Sequence, residues 1–82
     1  MKTSIQDFKA GWYGIAIGLK ASEIDQFIQN LDLLRAKNSE HFHARSSFRE
    51  PGGIGDIEFY LVPEDAQDDL LFDYSKPIRP QR

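Results

Sequence analysis

Residues 41–62 constrain the fold more than any other stretch, because their side chains alternate in polarity on both sides of a glycine-rich turn. Alternation with a period of two is typical of a β-strand that has one covered and one exposed face. The two alternating segments, 41–48 and 54–62, are joined by Arg-Glu-Pro-Gly-Gly, where proline and glycine favour a turn. The pattern therefore predicts an antiparallel β-hairpin.

The predicted hairpin has two chemically different faces. Its apolar face consists of Phe42, Ala44, Phe48, Ile57, Phe59 and Leu61. The opposite face, called the polar face below, consists of His41, His43, Arg45, Asp56, Glu58 and Tyr60. Since functional side chains gather on the polar face, we predict that it is the surface on which the protein acts.

The segments before the hairpin predict a strand and then a helix. Residues 11–20 alternate between a large apolar face (Tyr13, Ile15, Ile17, Leu19) and a small face (Gly14, Ala16, Gly18), which a helix, a partner chain or a ligand can approach closely. Ser22 is expected to open the helix, with Asp25 at the capping-box position. The helix has an apolar stripe at helical spacing, formed by Ile24, Phe27, Ile28, Leu31 and Leu34. It is expected to end near Lys37, with Asn38 in the left-handed cap.

These elements give the order β-α-β-β, a small α+β fold with a mostly antiparallel sheet, in which the hairpin lies beside strand one, and one covering helix. Residues 1–10 are expected to be a frayed start or a short edge element, and 70–72 to fold on the core or pair as a fourth short strand. The prediction is one domain with an ordered core at about 10–74 and a disordered tail at 75–82. One helix cannot cover both faces of a sheet, so a homodimer is a further expectation.

Composition excludes several classes of site. The 82 residues contain no cysteine, which excludes disulfides and thiolate metal sites. No apolar run approaches the roughly 18 residues of a membrane span, and the first residues lack the apolar core of a secretory signal. We therefore expect a cytoplasmic protein without a membrane partner and without a cofactor.

The charge is unevenly distributed along the chain. Residues 50–75 contain no Lys or Arg and eight acidic residues: Glu50, Asp56, Glu58, Glu64, Asp65, Asp68, Asp69 and Asp73. This balance disfavours a nucleic acid ligand and suits a basic protein partner. Glu64 and Asp65, directly after the hairpin, are therefore added to the predicted binding surface. The alternative is that these charges only solvate the chain.

The polar face also suits two other chemistries. His41 and His43 leave the same face of a strand and, with Asp56 or Glu58 opposite, are candidate metal ligands, although the pattern fixes no third ligand. The same histidines suit general acid–base catalysis in a small hydrolase. The alternative to both is a polar strand face without a site, in which the histidines pair with a carboxylate on the neighbouring strand. The aromatic residues Trp12, Tyr13, Tyr60, Phe72 and Tyr74 are of the kind that interfaces favour, but each is expected to be in the core.

The hairpin segments H-F-H-A-R-S, P-G-G-I-G-D and I-E-F-Y-L resemble small bacterial immunity proteins of polymorphic toxin systems. The resemblance covers about 22 residues and the looser β-α order before them. It implies a non-catalytic α+β protein that binds and neutralises a toxin, often a nuclease. Because nucleases tend to be basic, an acidic binder is physically sensible.

The leading hypothesis from the sequence is thus a non-catalytic protein-binding module of immunity type. It would bind through the polar face together with Glu64 and Asp65. The alternatives are a histidine- or metal-dependent hydrolase that uses His41, His43 and Glu58, and a homodimeric domain whose polar face only solvates.

Overall fold

The structure is a computed structural model that describes residues 1–37 and 39–73. The elements are β1 (Lys2–Asp7), β2 (Tyr13–Gly18), α1 (Ala21–Ala36), β3 (His41–Arg45) and β4 (Asp56–Tyr60). Within this part of the chain the strands form two antiparallel two-stranded sheets, β1–β2 and β3–β4. The predicted α+β class is confirmed, and so is the antiparallel hairpin of β3 and β4.

The first hairpin adds a strand to the predicted order. The strand expected at 11–20 is β2, and it pairs with β1 in a register that runs from Lys2 opposite Gly18 to Asp7 opposite Tyr13. The sequence predicts only a frayed start or a short edge element at residues 1–10. The predicted position of strand one beside the later hairpin is wrong, because β2 pairs with β1 in a separate sheet. Ile5 is the only large apolar side chain in β1, so no alternation identifies the strand. Its pairing rests on backbone hydrogen bonds, which do not depend on side-chain type.

The turn between β1 and β2 uses two residues with left-handed backbone. Lys9 has φ 60° and Gly11 has φ 88°. The N–H of Phe8 donates to the carbonyl of Trp12 (3.1 Å), and the N–H of Lys9 donates to Oδ1 of Asp7 (2.8 Å). Glycine adopts this conformation readily, but lysine does so at a cost in free energy.

The small face of β2 is covered at one point by its own hairpin. A Cβ atom at Gly14 would lie 2.9 Å from Cζ of Phe8, so the Phe8 ring already occupies this position. At Gly14, the small face of β2 is therefore covered by Phe8 and not by a helix or a partner chain, so that expectation is wrong at this position.

The helix begins two residues earlier than expected, because its N-cap residue is Lys20 and not Ser22. The backbone N–H of Lys20 donates to Oε1 of Glu23 (2.8 Å), and the N–H of Glu23 donates to the Lys20 carbonyl (2.9 Å). The predicted cap of Ser22 with Asp25 is therefore wrong, because both residues lie inside α1. At the other end the N–H of Lys37 donates to the Leu33 carbonyl (2.8 Å). The predicted cap at residue 38 lies outside the described residues.

The helix covers the apolar face of the β3–β4 hairpin. The Phe27 ring meets the rings of Phe42 and Phe59 edge-on, with centroids 5.7 and 5.3 Å apart. Phe42 and Phe59 are direct cross-strand partners, and their rings stack at 4.8 Å. Leu34, which is 6% exposed, is the one buried hydrophobic residue in the described chain. This aromatic cluster fixes which face of the hairpin is covered.

The second hairpin is shorter than predicted. Beyond β3, the N–H of Ser46 donates to the Gly55 carbonyl (2.9 Å), and the chain then leaves the ladder. Phe48 has φ 59°, which ends the extended backbone, and its side chain is exposed. Leu61 follows β4 and is exposed as well. The alternation predicts that Phe48 and Leu61 belong to the covered face, and this prediction is wrong for both residues.

The segment after β4 does not return to the core. Residues 63–66 form a turn in which the N–H of Ala66 donates to the Pro63 carbonyl (3.0 Å). Leu70, Leu71 and Phe72 are 88%, 83% and 83% exposed and form no strand. Both expectations for 70–72 are wrong, since the run is too short and too closely flanked by aspartates to stay buried. Tyr74 and the predicted tail at 75–82 lie outside the described residues. In the described chain, no helix has the length and apolarity needed to cross a membrane.

Candidate functional site

The register of the second hairpin gathers the whole polar face. His41 pairs with Tyr60, His43 with Glu58, and Arg45 with Asp56. The alternating residues Phe42 and Phe59 contact α1, so these three pairs project from the side of the sheet that the helix leaves open. The six side chains that the sequence predicted to lie together therefore share one surface.

Asp56 connects two other side chains of the polar face, His43 and Arg45. Its Oδ1 and Oδ2 lie 2.9 and 3.1 Å from Nδ1 of His43, and Nε of Arg45 donates to Oδ1 at 3.3 Å. The hydrogen bond from His43 is the main reason that the pKa of Asp56 lies below its ordinary value, and Arg45 lowers the pKa further. Asp56 is therefore a carboxylate at neutral pH and acts only as an acceptor.

The state of Asp56 fixes the tautomer of a neutral His43. A carboxylate accepts hydrogen bonds but donates none, so Nδ1 of His43 carries the proton. Nε2 then holds the free lone pair, which can bind a proton or a metal ion. Of these three side chains, His43 is the least exposed to solvent: 18% of its surface is accessible, compared with 44% for Asp56 and 64% for Arg45.

Glu58 completes a second group with the two histidines. The rings of His41 and His43 lie edge to face with their centroids 5.0 Å apart. One ligand atom from each of His41, His43 and Glu58 lies within 4.8 Å of the other two. Glu58 is thus the candidate for the third ligand that the sequence could not fix, whereas Asp56 is hydrogen-bonded to His43.

The remaining predicted residues lie at the margin of this group. Tyr60 is exposed at the end of β4, opposite His41. Glu64 and Asp65 lie in the exposed turn after Pro63, outside the strand that carries Glu58. They extend the acidic surface along the chain and are not in the ladder of the polar face.

A second surface lies on the β1–β2 hairpin, and the sequence did not predict it as a site. The register places Ile5 opposite Ile15, and Tyr13 and Ile17 lie on the same side. Their side chains are 45–64% exposed, and Trp12 in the adjoining turn is 76% exposed. We call Ile5, Tyr13, Ile15 and Ile17 the open apolar face.

The expectation that Trp12, Tyr13, Tyr60 and Phe72 are in the core is wrong, since all four are exposed. The signal available in the sequence was that one helix cannot cover both faces of a sheet.

The fold and these surfaces define a small α+β protein with one helix-covered hairpin, a charged face behind it and an uncovered apolar hairpin. Comparison with known protein families, curated proteins and solved structures found no match to this chain. The resemblance to immunity proteins therefore stays a prediction from the hairpin segments.

Proposed function

We propose that this chain is a non-catalytic protein-binding module. The observation that carries the proposal is the exposure of large apolar side chains in the described chain, from Trp12 and the open apolar face to Leu70 and Leu71. Soluble monomers rarely leave contiguous apolar surface uncovered unless it is an interaction site. An isolated two-stranded hairpin is also only marginally stable in water, so a partner that covers β1–β2 would stabilise it.

The acidic segment supports a basic protein as the partner. Leu70, Leu71 and Phe72 are exposed between Asp68, Asp69 and Asp73. Apolar side chains flanked by carboxylates suit a partner surface with an apolar groove and a basic rim, because charges steer the encounter while apolar burial supplies affinity. A basic toxin, the partner that the resemblance implies, belongs to this class.

A capture experiment with a purified complex tests the proposal. The tagged chain is incubated with lysate of its source cells, the captured protein is purified, and its affinity is measured by calorimetry at low and high salt. We expect stoichiometric binding to a basic protein that weakens as salt rises. The single tryptophan, Trp12, gives an independent signal, since its emission shifts to shorter wavelength if the partner covers the first hairpin.

Three variants locate the surface. The first changes Leu70, Leu71 and Phe72 to serine, the second is Ile15→Ser in the open apolar face, and the third combines His43→Ala, Arg45→Ala and Glu58→Ala. Leu33→Ser is the matched control, because Leu33 is an exposed leucine of α1. The affinity should fall in at least one of the first two variants and stay unchanged in the control. Equal binding by all variants, or binding that does not saturate, would contradict a specific module.

A hydrolase is the second candidate, and the orientation of His43 by Asp56 favours it. A base held in one tautomer by a carboxylate is an arrangement that serves general acid–base catalysis. His43→Ala separates the two functions. A hydrolase would lose activity on ester or phosphodiester substrates by orders of magnitude, whereas a binding module would lose affinity only in part.

A further inference from the structure

The polar face contains a group of side chains that suits a metal ion. His41 and His43 are two positions apart on β3 and therefore lie on the same face, and Glu58 on β4 pairs with His43. Backbone register thus sets the positions of all three. Their potential ligand atoms lie within 4.8 Å of one another.

We propose that His41, His43 and Glu58 bind a zinc ion that bridges β3 and β4. Two imidazole nitrogens and one carboxylate oxygen form a donor set that zinc takes in open sites, where water fills the fourth position. Zinc–ligand distances of about 2.0–2.1 Å require tetrahedral ligand atoms roughly 3.3 Å apart. The side chains of His41 and Glu58 are exposed, so a change of side-chain rotamer can bring their ligand atoms from 4.8 Å to this separation.

Asp56 prepares His43 for this role. Its carboxylate lies 2.9 Å from Nδ1 of His43, which leaves Nε2 as the nitrogen that binds the metal. A carboxylate behind a metal-bound histidine fixes the ring and raises the basicity of the other nitrogen. Arg45, which donates to the same carboxylate, places a positive charge nearby and limits the affinity.

The proposed site is open to solvent and independent of the proposed protein binding. His41 and Glu58 are exposed, while His43 is mostly covered. A metal held on such a face exchanges readily and is removed by chelators. Because the ion would join the two strands only in the folded hairpin, its binding also stabilises the fold.

Histidine NMR on the wild-type chain tests the proposal directly, because the protein has only two histidines. The full chain is treated with EDTA, dialysed and titrated with zinc chloride while the ring signals of His41 and His43 are followed. We expect both signals to move together and saturate at one zinc per chain, with no change on addition of magnesium. Signals that stay unchanged, or movement of only one of the two, would overturn the proposal.

Variants with conserved size test the individual roles. Zinc affinity by calorimetry should fall by about tenfold or more in His41→Gln and Glu58→Gln, and by about 10–100-fold in Asp56→Asn. Glu64→Gln, an exposed carboxylate in the turn after β4, is the matched control and should bind as the wild type does. Circular dichroism of each variant confirms that it is folded. Unchanged affinity in folded Glu58→Gln would overturn the assignment of the carboxylate ligand.

Discussion

The two hairpins of this protein have the same antiparallel geometry but different surroundings. In β3–β4, Phe42 and Phe59 stack on each other and contact Phe27 of α1. In β1–β2, Ile5 and Ile15 pair across the strands in the same way, yet they are 54% and 64% exposed. The first hairpin therefore pairs apolar residues across its strands, but no other element of the described chain covers them.

This difference shows that an alternating pattern determines which side chains share a face, but not whether that face is buried. Burial depends on the position of α1, whose aromatic residue contacts one hairpin only in the described ring contacts. One direct link between the regions is the amino group of Met1, which lies 2.7 Å from Oε2 of Glu23 in α1. The following predictions test how far the two hairpins differ in stability.

The largest expected effect is that of Phe27→Ala. This change removes the ring that contacts both Phe42 and Phe59, so we expect a loss of about 3 kcal/mol in the free energy of unfolding. Urea denaturation measures it. Ile24→Ala on the same helix is the control, because Ile24 is 42% exposed and its truncation should cost less than about 1 kcal/mol. Equal losses in both variants would mean that the aromatic cluster is not the centre of the fold.

Amide hydrogen exchange compares the hairpins directly. We expect the hydrogen-bonded amides of β1–β2 to exchange at least about tenfold faster than those of β3–β4, a difference of about 1.4 kcal/mol in opening free energy. The physical reason is that opening the first hairpin exposes little additional apolar surface. Similar protection of Ile15 and Phe59 at low protein concentration would contradict the comparison. Protection of β1–β2 that rises with concentration would indicate self-association through the open apolar face.

The effect of pH tests the link between the regions. The amino group of Met1 and then the backbone N–H of Lys20 hold the pKa of Glu23 below its ordinary value of 4.5. The carboxylate therefore stabilises the fold above about pH 4.5, and this contribution is lost as the pH falls through the lower folded-state pKa. Thermal unfolding followed across this range should show a smaller pH dependence in Glu23→Gln than in the wild type. An identical dependence in both proteins would show that other carboxylates dominate.

The smallest expected effect is a gain in stability from Lys9→Gly in the turn of the first hairpin. Lys9 has φ 60°, and relief of this backbone strain outweighs the added entropy of glycine by about 0.5 kcal/mol. Exchange protection of β1–β2 measures the gain. Lys2→Gly, within β1, should instead weaken the hairpin by about 0.5–1 kcal/mol. Weaker protection in Lys9→Gly would show that the lysine side chain itself holds the turn.

The polar face was the most predictable part of the candidate site. Its six residues follow from strand alternation alone, and the structure places them in three cross-strand pairs. The separate roles of Asp56 and Glu58 were not predictable. Both carboxylates lie on the same face of β4, so the alternation does not distinguish them. Only the side-chain geometry shows that Asp56 is hydrogen-bonded to His43, whereas Glu58 lies close to both histidines.

The sequence by itself determined the second hairpin, the helix and the side chains that share each face, because these depend on local backbone periods of two and 3.6 residues. The tertiary structure decided that β2 pairs with β1, that α1 covers only the aromatic face of β3–β4, and that 70–72 stays exposed. Burial, ligand distances and the lowered pKa of Asp56 depend on which surfaces meet in space. No local pattern in the chain contains that information.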